Sequence, residues 1–220
     1  MYRRVYAMAA TMLMAVAARA MEIEWVETMG RWPIETPPVL VDLDGDGTRE
    51  LVALNRGGEI LVRQLDGTAL GAGHDGVAAR LAGRPDGKWT ASFAATGAGA
   101  STRLVACNTL GDVRFLDRNL SVVAEAQMRG ETPWGRATAA VIGDNTDAVY
   151  CLADQTGQVV AFRADGTVAW SRDLPGGPCR GATQSVTLRD GTGLFLVPGD
   201  RFLHAYDRSE ERRVGKECRS

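Results

Sequence analysis

Short apolar segments separated by turn residues recur along most of the chain. Four stretches share one pattern, in which a glycine-containing turn leads into an apolar strand, at residues 58–65, 111–116, 157–162 and 199–206. The glycines that begin these stretches lie 53, 46 and 42 residues apart. Short apolar runs bounded by Gly, Asp and Asn are typical of β-strands. The pattern therefore predicts an all-β protein with a repeat of about 45 residues.

The repeat length indicates how these strands are arranged. A repeat of about 45 residues with up to four short strands is typical of one β-propeller blade. Residues 51–54 and 194–197 are almost continuously apolar, which fits strands buried between adjacent blades. We therefore predict a β-propeller fragment of about four four-stranded blades, truncated and open. The blades are expected at residues 36–72, 88–128, 134–174 and 179–207.

The same pattern predicts the individual strands. They are residues 38–43, 50–54 and 59–65 in the first blade, 90–95, 103–107, 112–116 and 121–127 in the second, 137–142, 148–152, 158–163 and 167–173 in the third, and 182–188, 194–198 and 201–206 in the fourth. The longer first spacing leaves an insertion at residues 71–87. Within it, residues 77–82 are predicted to form one or two helical turns at the rim.

Both ends of the chain are predicted to lie outside the folded unit. Residues 1–20 combine a basic start, an apolar run and small residues before the cleavage point at Ala20, as a secretory signal peptide does. The apolar run is too short for a permanent membrane anchor. Residues 208–218 match a translated sequencing adapter, so we treat residues 208–220 as a non-native tail. The remaining chain, residues 21–207, is predicted to be secreted or periplasmic, with no stable membrane span.

The charge balance changes when those ends are set aside. They carry 8 of the 25 basic and 3 of the 27 acidic residues, so 17 basic and 24 acidic residues remain, a net charge of −7. Binding to a phosphate backbone requires clustered Lys and Arg. Nucleic acid is therefore not an expected partner.

The first repeat contains an acidic loop with the spacing of a cation site. Carboxylates at Asp42, Asp44 and Asp46 alternate along a tight turn, and Glu50 closes it. Ca²⁺ prefers six to eight oxygen ligands, which such a turn can supply together with the carbonyl of Thr48. The sequence therefore predicts a Ca²⁺ site formed by these five residues. The equivalent turns at residues 143–147 and 189–193 lack most of the ligands, which indicates a single site with a structural role.

Parts of the chain resemble the repeats of two protein families. Residues 41–54 resemble an FG-GAP/VCBS-type, integrin-alpha-like propeller repeat, whose pattern is Asp-x-Asp-x-Asp-Gly-x-x-Asp, although Glu50 replaces the last Asp. The Phe-Gly and Gly-Ala-Pro elements of that family are absent. Residues 157–170 and 203–207 resemble the pyrroloquinoline-quinone-type propeller repeat. The first resemblance implies bound Ca²⁺, and both imply a propeller.

Cysteine and histidine offer few candidates for chemistry. Cys107 is expected to be a buried thiol, whereas Cys151 and Cys179 are either buried thiols or a disulfide between consecutive blades. His74 lies in the insertion and His204 on a strand, where a structural histidine is more common than a general base. No nucleophile motif accompanies them. Trp89 and Trp134, just before the first strands of their blades, are expected to pack between blades.

The sequence thus predicts a binding or interaction module, stabilised by Ca²⁺, for a protein or carbohydrate ligand. No catalytic residue is assigned. One alternative is the propeller domain of an exported enzyme, since similar propellers occur in polysaccharide lyases and quinone-dependent dehydrogenases. Another is a periplasmic scaffold for envelope proteins.

Overall fold

The structure, a computed structural model, describes residues 31–70, 77–89, 92–130, 140–142, 148–175, 177, 179 and 181–207. The predicted signal peptide, the tail from residue 208, His74, Trp134 and the loop at residues 143–147 lie outside these described residues. Within the described ranges, no helix has the length and apolarity needed to cross a membrane.

The strands form four antiparallel sheets in chain order. Sheet 1 contains β1 (Val39–Val41), β2 (Glu50–Leu54), β3 (Glu59–Arg63) and β4 (Val77–Arg80). Sheet 2 contains β5 (Ser92–Thr96), β6 (Arg103–Cys107), β7 (Asp112–Leu116) and β8 (Val122–Gln127). Sheet 3 contains β9 (Ala140–Ile142), β10 (Val149–Ala153), β11 (Gln158–Arg163) and β12 (Val168–Asp173). Sheet 4 contains β13 (Gln184–Thr187), β14 (Gly193–Pro198) and β15 (Leu203–Asp207).

The sheets follow one another around an arc. The first strands of consecutive sheets are neighbours, since β1 contacts β5, β5 contacts β9 and β9 contacts β13. Among the described residues, no comparable contact joins β13 to β1, so the arc is open. This is the radial order that the repeat predicts for propeller blades.

Three hydrophobic clusters hold the sheets face to face. One lies between sheets 1 and 2, one between sheets 2 and 3, and one between sheets 3 and 4. In the middle cluster, the ring of Phe115 on β7 meets the rings of Tyr150 and Phe162 edge to face, at centroid distances of 5.7 and 6.0 Å. Every residue of β10 is buried, which confirms that the continuously apolar central strands lie between blades.

The prediction of helical turns at residues 77–82 was wrong. Val77–Arg80 is β4, the outer strand of sheet 1, and it pairs with β3 so that Arg80 lies opposite Glu59. The guanidinium of Arg80 lies 3.4 Å from the Glu59 carboxylate. The outer edge of β3 offers unpaired backbone groups, and pairing with them outweighs the weak helical preference of a short Ala-rich segment. Sheet 1 therefore extends past residue 72, where the first blade was expected to end.

The turns between second and third strands repeat one structure in sheets 1, 2 and 3. Each begins with a polar residue, Asn55, Asn108 or Asp154, whose Oδ1 accepts hydrogen bonds from the backbone amides two and four residues later, at 2.9–3.0 Å. Each turn contains a glycine with φ between 81° and 88°, namely Gly58, Gly111 or Gly157. These hydrogen bonds explain why the Gly-led pattern recurs along the sequence.

Two further predictions about packing are confirmed. Trp89 is buried in the cluster between sheets 1 and 2. Its ring fills the space that a side chain at Gly58 would need. Cys107 is a buried free thiol, and Cys151 and Cys179 are buried free thiols as well.

Candidate metal centre

The acidic loop joins β1 to β2 at residues 42–49. The two strands are antiparallel with Val41 opposite Glu50, so the loop begins and ends at neighbouring positions. Glu50, the first residue of β2, is buried, whereas Asp44 and Asp46 are exposed. The register therefore brings a carboxylate from the second strand back to the start of the loop.

Three carboxylates converge at this point. One oxygen atom each from Asp42, Asp44 and Glu50 lies within 4.8 Å of the other two. Ca²⁺ binds oxygen at about 2.3–2.6 Å, so two oxygens on opposite sides of one ion are about 5 Å apart. The spacing fits a single Ca²⁺ ion held between the three groups. Among the described residues, no other group of three such side chains is as close.

Backbone amides fix the orientation of these carboxylates. Both oxygens of Asp42 accept hydrogen bonds, Oδ1 from the amide of Gly45 at 2.6 Å and Oδ2 from the amide of Gly47 at 3.1 Å. Oε2 of Glu50 accepts one from the amide of Leu43 at 2.7 Å. Each carboxylate oxygen has a second lone pair, so these bonds leave room for a cation. The side chains are thus positioned before any ion binds.

Asp46 makes the same kind of turn contact as Asp44, whose Oδ1 accepts the amide of Asp46 at 3.1 Å, but it lies outside the three-carboxylate cluster. Its Oδ1 accepts a hydrogen bond from the amide of Thr48 at 2.6 Å, across Gly47, whose φ is 89°. The same Asp-Gly-Thr turn occurs at Asp66, Asp165 and Asp190, where the carboxylate accepts the amide of the following Thr at 2.8–2.9 Å. The structure brings together Asp42, Asp44 and Glu50 of the five predicted ligands. Asp46 and Thr48 form the adjoining turn, and their roles as ligands stay predictions.

The loop is docked on the neighbouring blade. The carbonyl oxygen of Asp42 accepts hydrogen bonds from the amide of Gly99 at 2.8 Å and from the hydroxyl of Thr102 at 3.0 Å. Gly45 and Gly99 touch so closely that a Cβ on Gly45 would lie 3.2 Å from the Cα of Gly99. Asp42 therefore offers its side chain to the candidate site and its carbonyl to sheet 2.

This docking could not be predicted from the loop, because Gly99 and Thr102 are more than fifty residues away from it along the chain. The one available signal was the glycine-rich segment at residues 97–99. A glycine that permits close approach of two backbones has the same appearance in a sequence as one that cradles a phosphate.

A cleft of about 410 Å³ opens beside the loop, between sheets 1 and 2. Its lining combines apolar and charged residues: Leu40, Val41, Asp42, Gly47, Arg49, Ala95, Thr96, Gly97 and Ala98. A volume of this size lies within the range of pockets that hold small ligands. The cleft therefore connects the acidic loop to a surface with room for a bound group.

The turn in sheet 4 and the histidine that the sequence singled out lie outside the carboxylate cluster. The equivalent turn in sheet 4 has one carboxylate, Asp190, whose pKa is lowered by hydrogen bonds from the backbone and side chain of Thr192. His204 on β15 is partly buried, and burial lowers its pKa. Its ring stacks on Tyr206 and meets Phe202 edge to face. The structural role expected for His204 from its position on a strand stays a prediction.

Comparisons with known proteins support the fold. No protein-family model and no curated protein sequence matches the chain. The crystal structure of BamB from Moraxella catarrhalis is similar, with a TM-score of 0.53, 16% identity, and coverage of 84% of this chain and 49% of BamB. A protein of unknown function from Bacteroides caccae has 12% identity and a TM-score of 0.48, over 84% of this chain and 60% of that protein.

The likeness to BamB confirms the predicted architecture. BamB is a β-propeller of pyrroloquinoline-quinone-like repeats, and the chain spans about half of its length. At 16% identity the similarity concerns the fold alone. The chain is an all-β propeller fragment of four unclosed antiparallel sheets. The assignment of the first repeat to the FG-GAP/VCBS type stays a prediction.

Proposed function

We propose that this chain is a secreted or periplasmic β-propeller, stabilised by Ca²⁺, that acts as a binding module for a protein or carbohydrate ligand. The observation that carries the proposal is the convergence of Asp42, Asp44 and Glu50 within 4.8 Å on a loop docked between two blades. Three carboxylates this close repel one another, and a divalent cation removes the repulsion. The location supports a stabilising role for the ion.

The ion would act on the contact between blades as well as on the loop. Asp42 joins the two, because its carboxylate belongs to the cluster and its carbonyl accepts hydrogen bonds from Gly99 and Thr102. Fixing the carboxylate also fixes the backbone that faces sheet 2. Ca²⁺ is therefore expected to stabilise the packing of sheet 1 on sheet 2, with Asp46, the Thr48 carbonyl and water completing its ligands.

The proposed binding role rests on architecture and on the cleft beside the acidic loop. Propellers present loops at the two ends of their blades, and loops on a rigid scaffold are common sites of recognition. The residues that line the cleft include Arg49, Leu40 and Thr96, a mixture suited to a partly polar ligand. The enzyme alternative remains a hypothesis, and no catalytic group is assigned to it.

Calorimetric titration of the full chain with Ca²⁺, after removal of metal by a chelator, tests the proposed ion site. We expect binding of one ion, and a rise in the midpoint of thermal unfolding in excess Ca²⁺, because a ligand that binds only the folded state stabilises it. Glu50→Gln should abolish both effects. Asp66→Asn is the matched control, since Asp66 occupies an exposed Asp-Gly-Thr turn outside the cluster.

If the unaltered chain gives neither heat nor thermal stabilisation, the Ca²⁺ proposal is wrong. If Asp66→Asn removes the effect as fully as Glu50→Gln does, the ion binds elsewhere on the acidic surface and the assigned site is wrong.

A further inference from the structure

The contact between sheets 3 and 4 contains two buried thiols. Cys151 lies in the middle of β10, and Cys179 lies in the connection that leads from β12 to β13. Both belong to the hydrophobic cluster between these sheets, together with Trp170 and Phe195. Cys107, the third described cysteine, belongs to the cluster between sheets 2 and 3 and lies apart from them.

Several hydrogen bonds hold the connection against β10. The amide of Cys179 donates to the carbonyl of Asp154, just beyond the end of β10, at 3.4 Å. The hydroxyl of Thr183 donates to the carbonyl of Cys151 itself at 3.3 Å. The connection is thus attached to β10 at Cys151 and just beyond the end of the strand. The thiol of Cys179 meanwhile donates to the carbonyl of Gly181 at 3.1 Å.

The two side chains also interact electrostatically. Burial raises the pKa of the Cys151 thiol, and the charge that Cys179 would carry raises it further. The pKa of Cys179 is raised chiefly by burial. Each thiol is therefore protonated at neutral pH, and both are buried in the same hydrophobic cluster.

We propose that Cys151 and Cys179 form a redox couple, which closes to a disulfide when the contact between sheets 3 and 4 opens to a disulfide oxidant. This inference is independent of the acidic loop and of Ca²⁺. The reduced pair is inert while the contact is closed, because exchange requires an accessible thiolate. The bond would join β10 to the connection that enters sheet 4.

The reaction balances by two thiol–disulfide exchanges. One cysteine, as its thiolate, attacks oxidised glutathione, which gives a mixed disulfide and releases one molecule of glutathione thiol. The second cysteine then attacks the mixed disulfide and releases the second molecule of glutathione thiol. The protein loses two electrons and two protons, and one disulfide of the oxidant is reduced to two thiols.

The disulfide would determine how firmly sheet 4 is attached to sheet 3. The disulfide would close a loop that contains β11 and β12, which restricts the unfolded chain and stabilises the folded one. In the reduced state, sheet 4 is held by packing and by the hydrogen bonds of the connection alone. Oxidation would therefore convert a contact that can open into one that is covalently retained.

The test is peptide mapping of the full chain carrying Cys218→Ser, after incubation with oxidised glutathione and alkylation of remaining thiols under denaturing conditions. Trypsin places Cys151 in residues 137–163 and Cys179 in residues 173–180. We expect these peptides to be linked and lighter than their sum by two hydrogen atoms. Cys107, in residues 104–114, should stay alkylated. The thermal midpoint should rise by roughly 5 °C or more.

Two variants distinguish a specific disulfide between Cys151 and Cys179 from unspecific oxidation of the thiols. Cys179→Ala should abolish the linked peptide and the thermal shift, whereas Cys107→Ala should retain both. Persistently reduced Cys151 and Cys179, separate glutathione adducts on the two residues, or a link that involves Cys107 would overturn the proposal.

Discussion

The loop between β1 and β2 and the loop between β13 and β14 occupy equivalent positions in the first and fourth sheets, and they are built differently. The first loop carries Asp42, Asp44 and Asp46 before Glu50 at the start of β2. The second, at residues 188–192, carries Asp190 as its one carboxylate. Both contain an Asp-Gly-Thr turn in which the carboxylate accepts the amide of the following Thr.

The difference lies in the additional residues. The loop in sheet 4 closes directly, with the amide of Leu188 bonded to the carbonyl of Thr192 at 2.8 Å. The loop in sheet 1 adds Asp42 and Asp44 ahead of its turn, and these meet Glu50. The same position of the blade therefore accommodates a simple turn or a turn with a cluster of carboxylates, and the added segment also reaches sheet 2.

Removing a carboxylate from the cluster should have the largest effect. Asp42→Asn keeps one of the two oxygens that accept the loop amides and removes one negative charge. We expect Ca²⁺ affinity to fall by at least about 100-fold, since affinity depends on ligand charge and on fixed geometry. Asp190→Asn, in the equivalent loop, should leave affinity unchanged. Calorimetric titration of both variants measures the difference, and equal losses would show that the two loops do not differ in metal binding.

A side chain at the contact between the blades should have the next largest effect. Gly45→Ala introduces strain, because φ is 84°, and a contact with Gly99, whereas Gly191→Ala introduces strain at a φ of 86° with open space around it. We expect Gly45→Ala to cost about 1 kcal/mol more in the free energy of unfolding. Urea titration in the presence of a chelator measures it without any contribution from metal. Equal costs would argue against docking of the acidic loop on sheet 2.

Asp46→Asn should have an intermediate effect on Ca²⁺ binding. Its carboxylate accepts the amide of Thr48 and lies outside the three-carboxylate cluster, so as the proposed additional ligand it would contribute less to affinity than Asp42. We expect a loss of roughly tenfold, smaller than the loss for Asp42→Asn. Unchanged affinity in Asp46→Asn would show that Asp46 is not a ligand, against the prediction from its alternating position in the sequence.

The smallest expected effect concerns the stability of the fold at low pH. Hydrogen bonds from Thr192 lower the pKa of Asp190, so this interaction stabilises the fold above the unfolded pKa of about 3.9 and is lost as the pH falls through the lower folded value. Asp190→Asn should therefore flatten the decline of the thermal midpoint below about pH 4. Because Asp190 is exposed, the change should be slight. A steeper decline in the variant would contradict the stated direction of the shift.

The sequence was most informative where structure repeats. The second and third strands of the blades were predicted within a residue or two, because continuous apolar runs and Gly turns mark them. β4 was missed, because a strand that pairs at the outer edge has little burial pattern of its own: Val77, Ala78 and Ala79 are half-buried and Arg80 is exposed. This segment forms a strand because it pairs with β3, and that pairing cannot be read from the local sequence.

The candidate site could be predicted in part from the local sequence. The alternation of acidic residues gave the loop, and the register of β1 with β2 supplied the contact between Glu50 and Asp42. The alternate spacing makes Asp44 and Asp46 look equivalent, and each accepts the amide two residues later, but the folded loop brings only Asp44 to Asp42 and Glu50. The docking on Gly99 depends on how two blades meet, which a single repeat does not encode.

A crystal of the chain grown with Ca²⁺ offers the most direct test, through the anomalous scattering of the bound ion. The account predicts one anomalous peak at the acidic loop, about 2.3–2.6 Å from carboxylate oxygens of Asp42, Asp44 and Glu50, with the Asp42 carbonyl still bonded to sheet 2. Radially packed sheets with no peak at this loop, or with a peak only at the Asp190 turn, would contradict it.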